Sequence, residues 1–115
     1  MVISHHILVP LKPVAQGRAR VGRWSTYYPP SSQAYRKALV AVLSEYEAID
    51  GPVAVEVEIA GMRVNSDPDN HLKMILDGLQ DAGVIESDDV RTVKYLSISV
   101  VGGKPHTTIN IRSLT

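Results

Sequence analysis

The sequence predicts an α+β domain with helices packed on one mixed β-sheet, in the order β-loop-α-β-α-β-β. Three observations predict it. Residues 53–59 and 90–100 alternate apolar and polar side chains with a period of two, as half-buried strands do. Residues 34–47 and 68–82 repeat their apolar side chains every three or four positions, the spacing of a helix with one buried face. The length of 115 residues suits one domain, and no repeat, low-complexity tract or linker divides residues 1–115.

Composition narrows the class. The apolar fraction is 44% and the charged fraction 21%, as in ordinary soluble domains. With no Phe and one Trp, the core must be aliphatic. The absence of Cys excludes disulfides and thiolate metal sites and is compatible with a reducing cytoplasm. The first residues lack the basic flank and apolar run of a signal peptide, and no apolar run reaches the roughly 18 residues of a membrane span. A soluble intracellular protein is expected.

In order, residues 2–9 read as a strand ended by Pro10. Its adjacent His5 and His6 point to opposite faces and so do not share a site. Residues 10–31 hold Pro10, Pro13, Pro29 and Pro30 with Gly17 and Gly22, which predicts a loop or short ribbon. Ser31 or Ser32 then caps a helix that runs to Glu47. A turn at 49–52 leads into the strand 53–59, with Val53, Val55, Val57 and Ile59 on one face and Glu56 and Glu58 on the other. Asp67 before Pro68 is biased to an extended conformation and suits the cap of a second helix. Its apolar stripe is Leu72, Ile75, Leu76 and Leu79, and Gly83 closes it. Residues 90–100 form the next strand. The sequence Gly102-Gly103-Lys104-Pro105 predicts a hairpin turn into a last strand at 106–111.

Net charge is zero, yet the charges are segregated. Residues 1–44 carry Lys12, Arg18, Arg20, Arg23, Arg36 and Lys37 and no acid, whereas residues 45–90 hold all 12 acids against Arg63 and Lys73. The basic segment suits a polyanion, and its arginines are followed by Trp24, Tyr27 and Tyr28, which can stack on exposed bases. The plainer reading is a hairpin whose aromatics cover the sheet, with both charge sets simply solvated.

The acids concentrate at Asp67-Pro68-Asp69, with Lys73 and Asp77 following at helical spacing and Asp88-Asp89 beyond. Two carboxylates about 4 Å apart repel by roughly 4 kcal/mol at an effective dielectric of 20, so a fold that gathers several supplies a cation. Asp oxygens suit Mg2+, with Mn2+ as the alternative. Helix capping plus an Asp69–Lys73–Asp77 ion-pair ladder would explain the first cluster alone. Asp88-Asp89 sits at the entry to the following strand and could reach the same end of the sheet, and Lys73 lies one turn from Asp69, where it can touch a phosphate. That is the equipment of metal-dependent phosphodiester hydrolysis. The four His lack zinc-ligand spacing, and there is no P-loop or dinucleotide glycine pattern.

The pattern Asp67-x-Asp69-Asn70-x-x-Lys73-x-x-x-Asp77-x-Leu79 followed by Asp88-Asp89 resembles the RusA family of Holliday junction resolvases, found in phages and prophages. The loop Pro13-x-x-x-Gly17-Arg18-x-Arg20 with Tyr28-x-Pro30 adds to the resemblance. It implies a Mg2+-dependent homodimer that cuts four-way DNA junctions, in the cytoplasm of a bacterial or phage-infected cell. It also implies metal ligation by Asp67, Asp69 and Asp89, with Asp88 in the same cluster and Lys73 assisting catalysis. Some members carry a run of arginines before the first Asp, where this chain has Met62-Arg63-Val64-Asn65-Ser66. DNA affinity is therefore expected from Lys12, Arg18, Arg20, Arg23, Arg36 and Lys37. The competing functions are a non-catalytic DNA-binding module, whose junction binding would ignore Mg2+, and a metal-dependent nucleotide phosphohydrolase, for which a basic arm with aromatics is excessive.

Overall fold

The computed structural model describes residues 3–15 and 30–115, with the backbone of residues 20–21 and 26–27 between them. In chain order the elements are β1 (Ser4–Val9), β2 (Arg20–Val21), β3 (Thr26–Tyr27), α1 (Pro30–Leu43), β4 (Val53–Ala60), α2 (Pro68–Asp81), β5 (Val93–Val101) and β6 (His106–Ser113). This is the expected α+β order, and the basic segment includes the short antiparallel ribbon β2–β3. Among the described residues no helix is long and apolar enough to cross a membrane.

The sheet runs β1-β6-β4-β5, mixed as expected, with β4 and β5 parallel and the other neighbours antiparallel. β4 occupies the interior because it is the most apolar strand, with Val53, Val55, Val57 and Ile59 buried on the helix side. Ile7 and Val9 of β1 and Ile109 and Ile111 of β6 extend that face. Leu39 and Leu43 of α1 and Met74, Ile75 and Leu79 of α2 close over it. Full burial of each such side chain stabilises by about 1.5–3 kcal/mol. The two helices meet closely at Gly78, where a Cβ would lie 2.6 Å from Cδ2 of Leu39. The opposite face of β4 carries the exposed Glu56 and Glu58, and no helix of the fold is packed there.

The boundaries differ from the expectation most at the two ends of α1 and at the start of β5. α1 begins at Pro30, which needs no N–H in the first turn, so Ser31 and Ser32 lie inside the helix and do not precede it. It stops at Leu43 and not at Glu47. There Ser44 Oγ donates to Val40 O at 2.6 Å, and the chain folds back so that His5 sets its ring edge-on to Tyr46 and hydrogen-bonds Glu47 O. β5 begins at Val93, because the amides of Thr92 and Val93 both donate to Asp89 O in a turn that holds residues 89–92 out of the strand. The close of α2 is as expected: Gly83 takes φ +78 and Val84 N donates back to Leu79 O at 3.0 Å.

The predicted hairpin does not form. β5 and β6 follow one another in the chain but lie on opposite sides of β4. Residues 102–105 therefore stride across the end of β4, where Ala60 is the register partner of both Val101 and His106. Gly61 makes the crossing possible, since it adopts φ +77 and a Cβ there would sit 2.7 Å from Cα of Pro105. Gly61→Ala is accordingly expected to destabilise the domain by about 1–3 kcal/mol, from strain and displaced backbone together. An unchanged urea midpoint for that variant would contradict this account of the crossing.

Candidate active site

The end of β4 delivers the chain to the start of α2, and the local sequence fixes what is presented there. Asp67 is extended at φ −93 and ψ 114, as the following proline requires. Its Oδ1 accepts from the Asp69 amide at 3.0 Å, with Pro68 opening the helix. Both carboxylates are exposed, and Lys73, also exposed, stands one turn along from Asp69. The negative charges face the positive end of the helix, which stabilises them there. Asp77 is half-buried further along the helix.

His71, in the first turns of α2, is only 4% exposed. Burial lowers its imidazole pKa, with the charge of Asp67 acting in the opposite sense. The buried face of α2 is His71, Met74, Ile75, Gly78 and Leu79, rotated by about a residue from the expected stripe, and Leu72 and Leu76 are half-buried.

Asp88 and Asp89 lie elsewhere. Because β4 and β5 are parallel, the start of β5 is beside the start of β4, where Val53 N donates to Thr92 O. Asp67 and Asp69 follow the other end of β4. The two acidic pairs are therefore separated by the length of the 14-residue α2, about 20 Å at 1.5 Å per residue. This corrects the expectation that both pairs share one end of the sheet. Asp88 is exposed. Asp89 is held by Arg91: the guanidinium donates to Oδ2 from Nη2 at 2.7 Å and from Nε at 3.1 Å, and the Arg91 amide donates to Oδ1 at 3.0 Å. Ser87 Oγ adds a further bond to Oδ1 at 3.0 Å. The Arg91 contacts hold the Asp89 carboxyl well below the usual carboxylate range.

As a divalent-metal site, one chain offers donors of the right kind at the start of α2. Asp67 and Asp69 supply hard oxygens at one place, but among the described residues no three His, Asp or Glu converge on a common point. Two carboxylates completed by water and phosphate oxygens suit Mg2+, and a further carboxylate brought to the start of α2 would strengthen the site.

The expected cations divide into three groups. Arg18 and Arg23 lie outside the described residues, and of Arg20 only the backbone, on β2, is described. Arg36 is turned onto α2, its Nε 2.7 Å from Asp81 Oδ2, so it ties the helices together while its side chain stays partly exposed. Lys37 is exposed on α1, and Lys12 is exposed beside the start of α2. There Lys12, Arg63, Ser66 and His71 line a common cavity of about 460 Å3.

Sequence reasoning passed over Arg63, His71 and Arg91. His71 was discoverable, since 71, 74, 75, 78 and 79 form a complete helical face once Met74 and Gly78 are counted as buried. The grip of Arg91 on Asp89 depends on the turn before β5 and left no periodic trace.

A family model described as Endodeoxyribonuclease RusA matches residues 10–112. No match was found among curated proteins. Among solved structures, the crystal structure of a HypE-HypF complex aligns at 12% identity and a TM-score of 0.41, covering 96% of this chain and 32% of that one. That is too distant a likeness to bear on function.

The double duty of Asp67 separates experimentally. Asp67→Ala removes the cap and should cost about 1 kcal/mol of stability, whereas Asp67→Asn keeps a capping oxygen and should cost a few tenths at most. Equal losses in thermal unfolding would show that the cap contributes nothing.

Proposed function

The chain belongs to the RusA endodeoxyribonuclease family, and on that premise we propose that it is a Mg2+-dependent, structure-selective nuclease that resolves four-way DNA junctions as a homodimer. The family makes it a DNA-cleaving hydrolase. The observation that carries the finer reading is the pair Asp67 and Asp69, both exposed, with Asp67 fixed by its own cap bond and Lys73 one turn behind.

Asp67 and Asp69 hold the ion together with Asp89, and Asp88 adds negative charge beside them. A hard divalent ion supplies Lewis acidity and a bound water of lowered pKa. Lys73 places a cation against the phosphate and favours the charge that develops on it. Lys12, Lys37 and the arginines 18, 20 and 23 bind the backbone of the junction, in keeping with the acid-free first third of the chain.

The separation of the acidic pairs is what calls for the second copy. β5 is an edge strand of nine residues, with Tyr95, Leu96, Val100 and Val101 exposed on its two faces. Unprotected apolar edges of this length are sites of strand pairing. An antiparallel, twofold pairing of β5 with its counterpart sets the start of one strand beside the end of the other. Asp88 and Asp89 of one protomer then approach Asp67 and Asp69 of its partner. Two equivalent sites result, as two symmetric cuts in a junction require. Asp89 has to leave Arg91 to serve there, which frees the guanidinium for the nucleic acid. The setting is the cytoplasm of a bacterial or phage-infected cell.

With Mg2+ or Mn2+ the protein is expected to nick a labelled four-way junction symmetrically and to leave linear duplex intact. Asp69→Asn should abolish the cutting while junction binding persists or tightens, because a charge that repels phosphate is gone. A denaturing gel reads both results, and undiminished cutting by that variant would remove Asp69 from the site.

A further inference from the structure

Next to the carboxylates at the start of α2 lies a cavity of opposite character. Its volume is about 460 Å3, and its described lining includes Lys12, Ser31, Ser32, Arg63, Ser66 and His71 and no acid. The start of α1 forms one wall. That helix has no acidic residue in its first turn, and the residue before it in the chain is Pro29, whose side chain offers no acceptor. Its N-terminal positive charge, about half an elementary unit, thus meets no acid in its own first turn, whereas α2 has Asp67 and Asp69.

A second, independent feature is His71. It is 4% exposed, lines the cavity, and its imidazole makes no hydrogen bond with another described residue. Buried polar side chains almost always have a partner. A ring nitrogen that reaches the wall of a cavity also lined by two cations is open to a ligand from that cavity, and the charge of the lining favours an anion. Guanidinium, ammonium and imidazole N–H are together donors that recognise phosphate.

We propose that this cavity is a phosphate subsite, which takes a DNA backbone phosphate flanking the one that is cut. The choice of DNA as the source rests on the nuclease reading above, whereas the phosphate chemistry does not. Ser66 in the wall is the chain neighbour of Asp67. A strand seated in the cavity is thereby led past the carboxylates, with the lysine and arginine holding its register. The cavity is larger than one phosphate requires, so the sugar of the same nucleotide enters with it.

The test uses the whole chain without divalent ions. In amide-resolved NMR titrations, inorganic phosphate and thymidine 5′-monophosphate are expected to shift the signals of Ser32, Ser66 and His71. Lys12→Gln and Arg63→Gln should each suppress those shifts, while Arg112→Gln on the far face of the sheet should preserve them. In junction-binding titrations across a salt series, each of the first two variants should weaken binding several-fold and lower the salt slope by about one contact. Pocket amides that stay silent with every phosphate probe would overturn the subsite. A mononucleotide held as tightly as the junction would overturn its assignment to DNA. Junction cutting with a silent pocket sinks the subsite and leaves the nuclease reading standing. A responsive pocket in a protein that cuts nothing does the reverse.

Discussion

Strand β4 has β6 on one side and β5 on the other, and its pairing with β5 is parallel. A parallel return cannot be made by a tight turn, so the chain must travel back along the sheet first, and α2 is that return. From this one constraint the placement of the chemistry follows. Whatever the chain presents on leaving β4 is separated from whatever it presents on entering β5 by the full length of a helix. Asp67 and Asp69 fall in the first group and Asp88 and Asp89 in the second. The same constraint leaves β5 at the rim of the sheet among the described residues, with apolar side chains exposed on both faces. The feature that divides the acidic set is thus the feature that leaves an edge able to reunite it across two copies.

Much of this was legible in the sequence, for identifiable reasons. Alternation in 53–59 encodes burial on one face, and β4 is buried on that face. Asp67-Pro68 and Gly83 restrict local backbone angles, and both ends of α2 obey them. Strand partnership is a different kind of information. Gly102-Gly103-Lys104-Pro105 serves a hairpin and a crossing equally well, and the choice was made by the competition for the place beside β4. The decisive clue is Gly61, whose positive φ and contact with Pro105 matter only once the crossing exists. The separation of the acidic pairs went unread for the same reason, since the expectation that they meet presupposed a strand direction that periodicity does not carry.

The charges tell a parallel story. Zero net charge conceals a basic first third and an acidic middle, and among the described residues folding joins the two at Arg36 and Asp81. Arg36 with Asp81 fastens α1 to α2. Both groups are partly exposed, so the pair contributes about 0.2–1 kcal/mol. Asp89 with Arg91 is local to its turn and keeps a carboxylate ionised and occupied until something competes for it. At the start of α2 a cation-lined cavity and an exposed acidic pair stand side by side, which is the combination a phosphodiester and a divalent ion would meet together.

The central claim is that each catalytic centre is assembled from two chains. Subunit mixing tests it most directly. Asp69→Asn and Asp89→Asn chains, each inactive alone, are co-refolded and assayed on a labelled four-way junction with Mg2+. If the acids meet across the pair, a mixed dimer keeps one site with every carboxylate intact, and the mixture nicks the junction. If all the acids of a site come from one chain, both sites of every mixed dimer are damaged. A mixture as inactive as its parents would contradict the account.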